Sequence, residues 1–169
     1  TGSTLFAGAV GMDKLAFGGL MEASGIPTLP RRAVSATAEP GFTGPYIVKP
    51  RFGGSSIGIE IADDLATARA LAQSSPHLKN GAVLEPYRPN LVDLNIGFRT
   101  FPSLEVTDLE KPLRAGGESA LYTYAEKYLA GGTGSEAGLS SAPREFPANY
   151  PAPIHEKAAE LARAVADVT

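Results

Sequence analysis

Lys49 closes the apolar run Tyr46-Ile47-Val48, and after Pro50 the chain passes through four small residues, Gly53, Gly54, Ser55 and Ser56. A fixed positive charge beside a glycine- and hydroxyl-bearing loop suits an anion. The glycines let backbone N–H groups approach, the serines add donors, and the lysine supplies charge. The same residues also describe an ordinary β-hairpin with a long loop and a solvated lysine. Glu85-Pro86-Tyr87 ends a second apolar run in a bend whose backbone donors and acceptors could read a purine edge, or which simply turns. Asp93 could accept from ribose hydroxyls or stand as a surface aspartate. Lys127-Tyr128 lies in the tyrosine-rich stretch YTYAEKYL, where the lysine is either phosphate-directed or the outer member of an aromatic core. Lys14, beside Asp13, is on its own an ordinary residue of a helix start.

Other chemistries find little support. His77 and His155 are far apart with no carboxylate at ligand spacing, which argues against a histidine metal site. Ser55 and Ser56 lack the His and Asp signature of a hydrolase triad. The chain has no cysteine, so disulfides and thiolate metal sites are excluded. A net charge of −3 without a Lys/Arg run gives a nucleic-acid partner no electrostatic basis. No apolar stretch approaches the roughly 18 residues of a membrane span, and no signal-peptide pattern opens the chain. No membrane partner is therefore expected, and the cytoplasm is the default location. With 169 residues, 43% hydrophobic and 20% charged, the composition is that of a globular chain with a real core. It opens on Thr1 without methionine and stops at Thr169 inside a helical pattern, which reads as a piece of a larger protein.

The elements that would position these groups follow from periodicity and turn chemistry. Residues 1–10 are a loop or the start of a helix. Asp13 caps a helix whose buried face is Leu15, Phe17, Leu20 and Met21, weakened by Gly18 and Gly19 at about 1 kcal/mol each and ended by Ser24-Gly25-Ile26-Pro27. A short extended piece at 30–34 and a turn-rich connector at 36–44 precede two strands, Tyr46–Pro50 and, after Ile57-Gly58, a return that ends at Ile61. Asp63-Asp64 begins a helix with Leu65, Ala68, Leu71 and Ala72 on one face. Residues 82–85 are a short buried strand, 86–90 a hinge, and 91–99 with 104–109 an antiparallel pair turning at Phe101-Pro102. Residues 111–121 read as a loop, 122–129 as strand or helix, and 130–142 as a mobile Gly/Ser/Ala segment. A last helix spans 154–168, with Ile154, Ala158, Leu161 and Val165 inward. The loop at 53–56 joins strand to strand, which opposes a P-loop or a dinucleotide fingerprint, both of which seat phosphate on a helix N-terminus. The expected class is α+β, with antiparallel sheets and flanking helices.

Read in order, MDK at 12–14, ASGIP at 23–27, YIVKP at 46–50, GGSSIGI at 53–59, VLEPY at 83–87 and YTYAEKYL at 122–129 resemble the D-alanine–D-alanine ligases of the ATP-grasp superfamily. The resemblance implies a nucleotide cleft between two lobes. Residues 1–88 would be the central lid subdomain with its leading helix, and 89–169 the first part of an incomplete C-terminal lobe. It implies an ATP-dependent ligase that joins two D-alanines, or similar amino acids, through an acyl phosphate for peptidoglycan synthesis and cell wall biogenesis. Lys14 and Lys49 would contact ATP phosphates, and Gly53, Gly54, Ser55 and Ser56 would close over them, with Ser55 near the amino-acid substrate. The Glu85 carbonyl and the Arg88 N–H would pair with adenine, with Pro86 and Tyr87 in the same hinge. Asp93 stands where the family has a ribose-binding glutamate. Lys127 would reach the γ-phosphate, and Tyr128 would contact Ser55 across the substrate site.

The family's magnesium ligands, an Asp and a Glu-x-Asn, are expected beyond Thr169, so no metal ligand is assigned within the chain. The isolated chain is expected to lack ligase activity. The small-molecule partners are ATP and an amino acid, and a homodimer is an open expectation for the full-length protein. The alternatives are an ATP-grasp ligase of another amino-acid or peptide pathway, or a non-catalytic nucleotide-binding domain.

Overall fold

A computed structural model of the chain describes residues 2–113 and 143–169. They fall into two compact units, Thr1–Arg88 with Thr169, and Pro89–Val168.

The first unit opens on helix α1, Leu5–Met12, where the sequence left a loop or a helix start. Thr4 Oγ1 accepts from the Ala7 N–H at 3.0 Å and so satisfies one of the free donors of the first turn. No residue of α1 is buried, and Leu5 is 92% exposed. Helix α2, Lys14–Ala23, starts where expected, because Asp13 Oδ1 accepts from the N–H groups of Leu15 and Ala16 at 3.0 and 3.3 Å. Met21 and Gly18 are its buried positions, with Leu15, Phe17 and Leu20 half-buried.

Four strands make one antiparallel sheet: β1 (Arg32–Ala33), β2 (Tyr46–Pro50), β3 (Glu60–Ala62) and β4 (Ala82–Pro86), in the order β1-β4-β2-β3. Tyr46 pairs with Ala62 across β2–β3, and Tyr46 with Pro86 through Pro50 with Ala82 across β2–β4. Side chains alternate across a strand. Tyr46, Val48, Ala82 and Leu84 therefore share one face, which forms the core with Ala62, Ala68 and Leu78 beneath helix α3, Leu65–Ser74. Asp64 caps α3 by accepting from the Thr67 N–H at 2.7 Å. Leu65, Leu71 and Ala72 pack against this core, as their spacing predicts. Arg69, on the same helix, donates to the carbonyls of Ser35 and Ala38 at 2.8 and 3.2 Å and thereby ties down the turn-rich connector.

The second strand comes after Ile57-Gly58, as expected, and begins at Glu60; Ser55, Ser56 and Gly58 adopt left-handed backbone (φ 57°, 60° and 72°) and carry Ile57 through a turn. Ile57 is left exposed. Pro86 still belongs to β4, so the hinge opens only at Tyr87, whose N–H donates to the Pro45 carbonyl at 2.8 Å.

In the second unit, β5 (Phe98–Arg99) and β6 (Glu105–Val106) pair antiparallel, and an Asn95–Glu110 bridge prolongs their ladder. The expected pairing holds, but the strands are shorter than 91–99 and 104–109. Lys111-Pro112, expected as loop, forms strand β7 against β8 (Arg144–Glu145). The last helix, α4, spans Ala152–Val168. Ala162 is its buried residue, whereas Ile154 is 42% exposed, so the inward face is turned away from the predicted Ile154 position. The segments 122–129 and 130–142 lie outside the described residues. Among the described residues, no helix is long and apolar enough to cross a membrane.

Candidate functional site

The face of the sheet opposite the core carries the chemistry. Lys49 on β2 and Glu85 on β4 sit there, two of the residues whose side chains alternate away from Val48 and Leu84. Lys49 Nζ donates to Glu85 Oε2 at 2.7 Å, and Arg31 Nε donates to Oε1 of the same carboxylate at 2.8 Å. Asp13 and Glu85 are the two buried polar or charged residues among those described. A buried carboxylate is tolerated only when its lone pairs are met by donors, and Glu85 meets that condition with two cations. Arg31 was missed by sequence reasoning. Its only visible signals are a basic pair after Pro30 and a glycine, Gly18, in the middle of a helix.

Gly18 explains itself here. A Cβ at position 18 would lie 2.8 Å from Arg31 Cδ, so the glycine makes room for the arginine stem. The Arg31 guanidinium lies 5.7 Å from the centre of the Phe17 ring, one residue earlier.

Lys14 reaches the loop from the first turn of α2. Its Nζ donates to the Gly53 carbonyl at 2.8 Å, and its backbone N–H donates to the Arg51 carbonyl at 3.1 Å. Burial, followed by repulsion from Lys49, lowers the Lys14 pKa from its ordinary 10.5; Glu85 works in the opposite direction. Arg31 adds further repulsion. Lys14, Arg31 and Lys49 thus share a neighbourhood with Glu85, a local surplus of two positive charges once the nearby Asp13 is set against its partner Arg51.

Arg51 serves the scaffold. Its Nε and Nη2 clasp Asp13 Oδ1 and Oδ2 at 2.9 and 2.5 Å, a bidentate pair that fastens the loop to the start of α2. That hydrogen-bonded guanidinium is the largest influence on Asp13 and holds its carboxyl below the ordinary 3.8. The loop between the strands then runs through Gly53 at φ 102° and the left-handed Ser55 and Ser56, closed by Ile57 N–H donating to the Gly54 carbonyl at 3.2 Å.

The hinge needs one change of assignment. Tyr87 N–H to the Pro45 carbonyl and Arg51 N–H to the Gly81 carbonyl fix which β2–β4 pairs exchange hydrogen bonds. By that alternation, Glu85 and Ile47 are such a pair, and the Glu85 carbonyl is turned to β2. Even-numbered residues of β4 face β1 instead, as Val34 N–H donating to the Ala82 carbonyl shows. Continuing that register places Pro86 opposite Pro30, which has no N–H to give. The carbonyl left without a strand donor is therefore that of Pro86, not Glu85.

The structure brings Lys14, Lys49, Glu85 and the Gly53–Ser56 loop together in one unit, with Pro86, Tyr87 and Arg88 at the end of β4. Asp93 lies in the second unit, and Lys127 and Tyr128 fall outside the described residues.

The D-alanine–D-alanine ligase of Gluconobacter oxydans is 34% identical to the chain over 137 residues, which are 79% of this chain and 43% of that relative. The chain is D-alanine–D-alanine ligase-like, with an ATP-grasp fold. It spans less than half the length of the curated ligases it matches. Two solved structures share the fold of this ligase-like chain. One is VanG D-Ala:D-Ser ligase from Enterococcus faecalis, with a TM-score of 0.68 at 21% identity over 96% of this chain and 46% of that one. The other is D-alanine–D-alanine ligase from Helicobacter pylori, with a TM-score of 0.63 at 16% identity over 99% and 46%. No family model matches the chain. The antiparallel α+β architecture expected of the ligase-like chain is thus confirmed.

Proposed function

We propose that the chain is the nucleotide-holding portion of an ATP-dependent carboxylate–amine ligase. That enzyme would join two D-alanines, or closely similar amino acids, for peptidoglycan precursor synthesis in the cytoplasm. One observation carries this reading: Lys14 and Lys49 converge beside a left-handed Gly/Ser loop, with surplus positive charge around the buried Glu85. Phosphoryl transfer demands mainly positioning and charge neutralisation, and these are the parts that supply both. In the ligase reaction one amino acid's carboxylate takes the γ-phosphoryl group, and the amine of a second then attacks the activated carbonyl.

The residues in hand fit a nucleotide. Lys49 and Lys14 donate charge-assisted hydrogen bonds to its phosphates, and N–H groups of Gly53, Gly54, Ser55 and Ser56 close over them. At the hinge, the Pro86 carbonyl and the Arg88 N–H meet the base. Ser55 stands near the amino-acid substrate with Tyr128, Lys127 reaches the terminal phosphate, and Asp93 accepts from the ribose. Among the described residues no three His, Cys, Asp or Glu side chains gather to hold a metal ion, and magnesium enters no step assigned to them.

Nucleotide binding to the 169-residue chain, followed by the fluorescence of a labelled ADP, tests the reading. Lys49→Ala is expected to abolish binding, and unchanged affinity would refute the phosphate assignment. The chain alone is expected to release no ADP from ATP and D-alanine; D-alanine-dependent release would overturn that.

A further inference from the structure

Lys49 by itself balances the charge of Glu85, through Oε2 at 2.7 Å, so the positive charge of Arg31 is surplus even though its Nε satisfies Oε1. It engages Glu85 through Nε only, at 2.8 Å. Among the described residues, its two terminal amino groups have no hydrogen-bond partner. The side chain keeps 21% exposure, the same as Lys49. A guanidinium is charged at every working pH, and its terminal amino groups form a planar fork suited to phosphate oxygens. Its placement is supported from two sides, by the space that Gly18 leaves for its stem and by the Phe17 ring at 5.7 Å from its charge.

We propose that Arg31 joins Lys14 and Lys49 as an anion-binding cation of this site, with Nε fixed by Glu85 and the terminal amino groups turned to a polyphosphate. The proposal rests on the nucleotide reading for its natural ligand, but its chemistry needs only an anion. Sharing Glu85 between Arg31 and Lys49 also prevents a closed one-to-one pair, so Lys49 retains attraction for the same anion. The repulsion that Arg31 and Lys49 exert on the Lys14 ammonium agrees with three cations facing one space. The consequence is a preference that rises steeply with ligand charge, strongest for triphosphates and absent for the nucleoside.

Titration of the 169-residue chain with ATP, ADP, adenosine and inorganic tripolyphosphate tests this. Arg31→Ala is expected to weaken ATP and tripolyphosphate about ten-fold or more, as for loss of one charge-assisted contact, and to leave adenosine within about two-fold. Arg31→Lys is expected to recover part of the loss. Gly18→Ala offers a second route, because it displaces the Arg31 stem without removing charge. It should weaken tripolyphosphate binding in the native background and have no effect on that binding in an Arg31→Ala background, where it should raise the melting temperature. Equal losses for adenosine and ATP, or unchanged tripolyphosphate affinity in Arg31→Ala, would overturn the proposal. If the native chain binds tripolyphosphate in an Arg31-dependent way but binds no nucleotide, the anion site stands and the nucleotide reading fails. If it binds neither, both fail.

Discussion

Replacing Glu85 by glutamine keeps the shape of the buried group and removes its charge. Two cations, Arg31 and Lys49, then lose their common counter-ion at 2.8 and 2.7 Å, with Lys14 near them. Removing one member of a fully buried pair typically costs about 3–5 kcal/mol. Here the partners keep 21% side-chain exposure against 4% for Glu85. They can partly rehydrate, so about 2–3 kcal/mol is expected. For a chain of this size that corresponds to a fall in Tm of roughly 4–12 °C. Anion affinity should move in the opposite direction. The local surplus rises from two positive charges to three, and one further charge a few ångströms from a phosphate contributes on the order of 1 kcal/mol, or about five-fold in affinity. Thermal melts with and without tripolyphosphate read both effects in one experiment. The variant should melt lower alone and gain more from the anion than the native chain does. Unchanged stability, or a loss of stability matched by a loss of anion affinity, would refute the account of Glu85 as a counter-ion shared by surplus cations.

Acid should loosen the clasp between loop and helix. The folded pKa of Asp13 lies below its ordinary 3.8, chiefly through Arg51. Its contribution is therefore complete above 3.8 and lost as pH falls through the lower folded value, and Asp13→Asn should flatten that part of an acid-unfolding curve. Lys14 behaves in the opposite sense. Its folded pKa lies below 10.5, through burial and then Lys49, and a bound polyanion would raise it. Binding is then coupled to proton uptake at alkaline pH, and ADP affinity should fall as pH rises through the free-state value. A titration series in Lys14→Arg should lack that fall. Gly58→Ala places a Cβ in overlap with His77 Cβ at φ +72°, and about 2–4 kcal/mol of destabilisation is expected from strain and overlap together; a urea midpoint within error of the native one would contradict it.

Those features of the fold that depend on local rules could be read directly from the sequence. The Asp13 and Asp64 caps, the apolar face of α3 and the buried run at 82–85 each follow from residue type and spacing, and each is present. The misses share a cause, which is tertiary context. Pro86 has the residue type of a hinge, yet it completes β4 opposite Tyr46. Residues 111–112 look like loop because their strand partner, 144–145, is more than thirty positions away. Within the site, Lys49 and the loop announce themselves through composition, and Lys14 only through the family resemblance. Arg31 does not, because an arginine two residues into a linker is ordinary until the fold lays it against Glu85.

The helix and the sheet also explain each other's irregularities. Taken alone, Gly18-Gly19 weakens α2, and a helix of ten residues has little propensity to spare. Taken alone, Arg31 is a cation beside a buried carboxylate that already has Lys49. Together they are one device: the missing Cβ admits the arginine stem, Phe17 lies against its charge, and Glu85 holds its Nε. The same alternation that turns the Glu85 side chain to this face turns its carbonyl to Ile47, so the residue cannot serve both the cations and a base through its own backbone. Division of labour follows from strand geometry. Glu85 gathers charge with its side chain, while the next residue, Pro86, has its carbonyl opposite a proline and so keeps an acceptor open at the end of the strand.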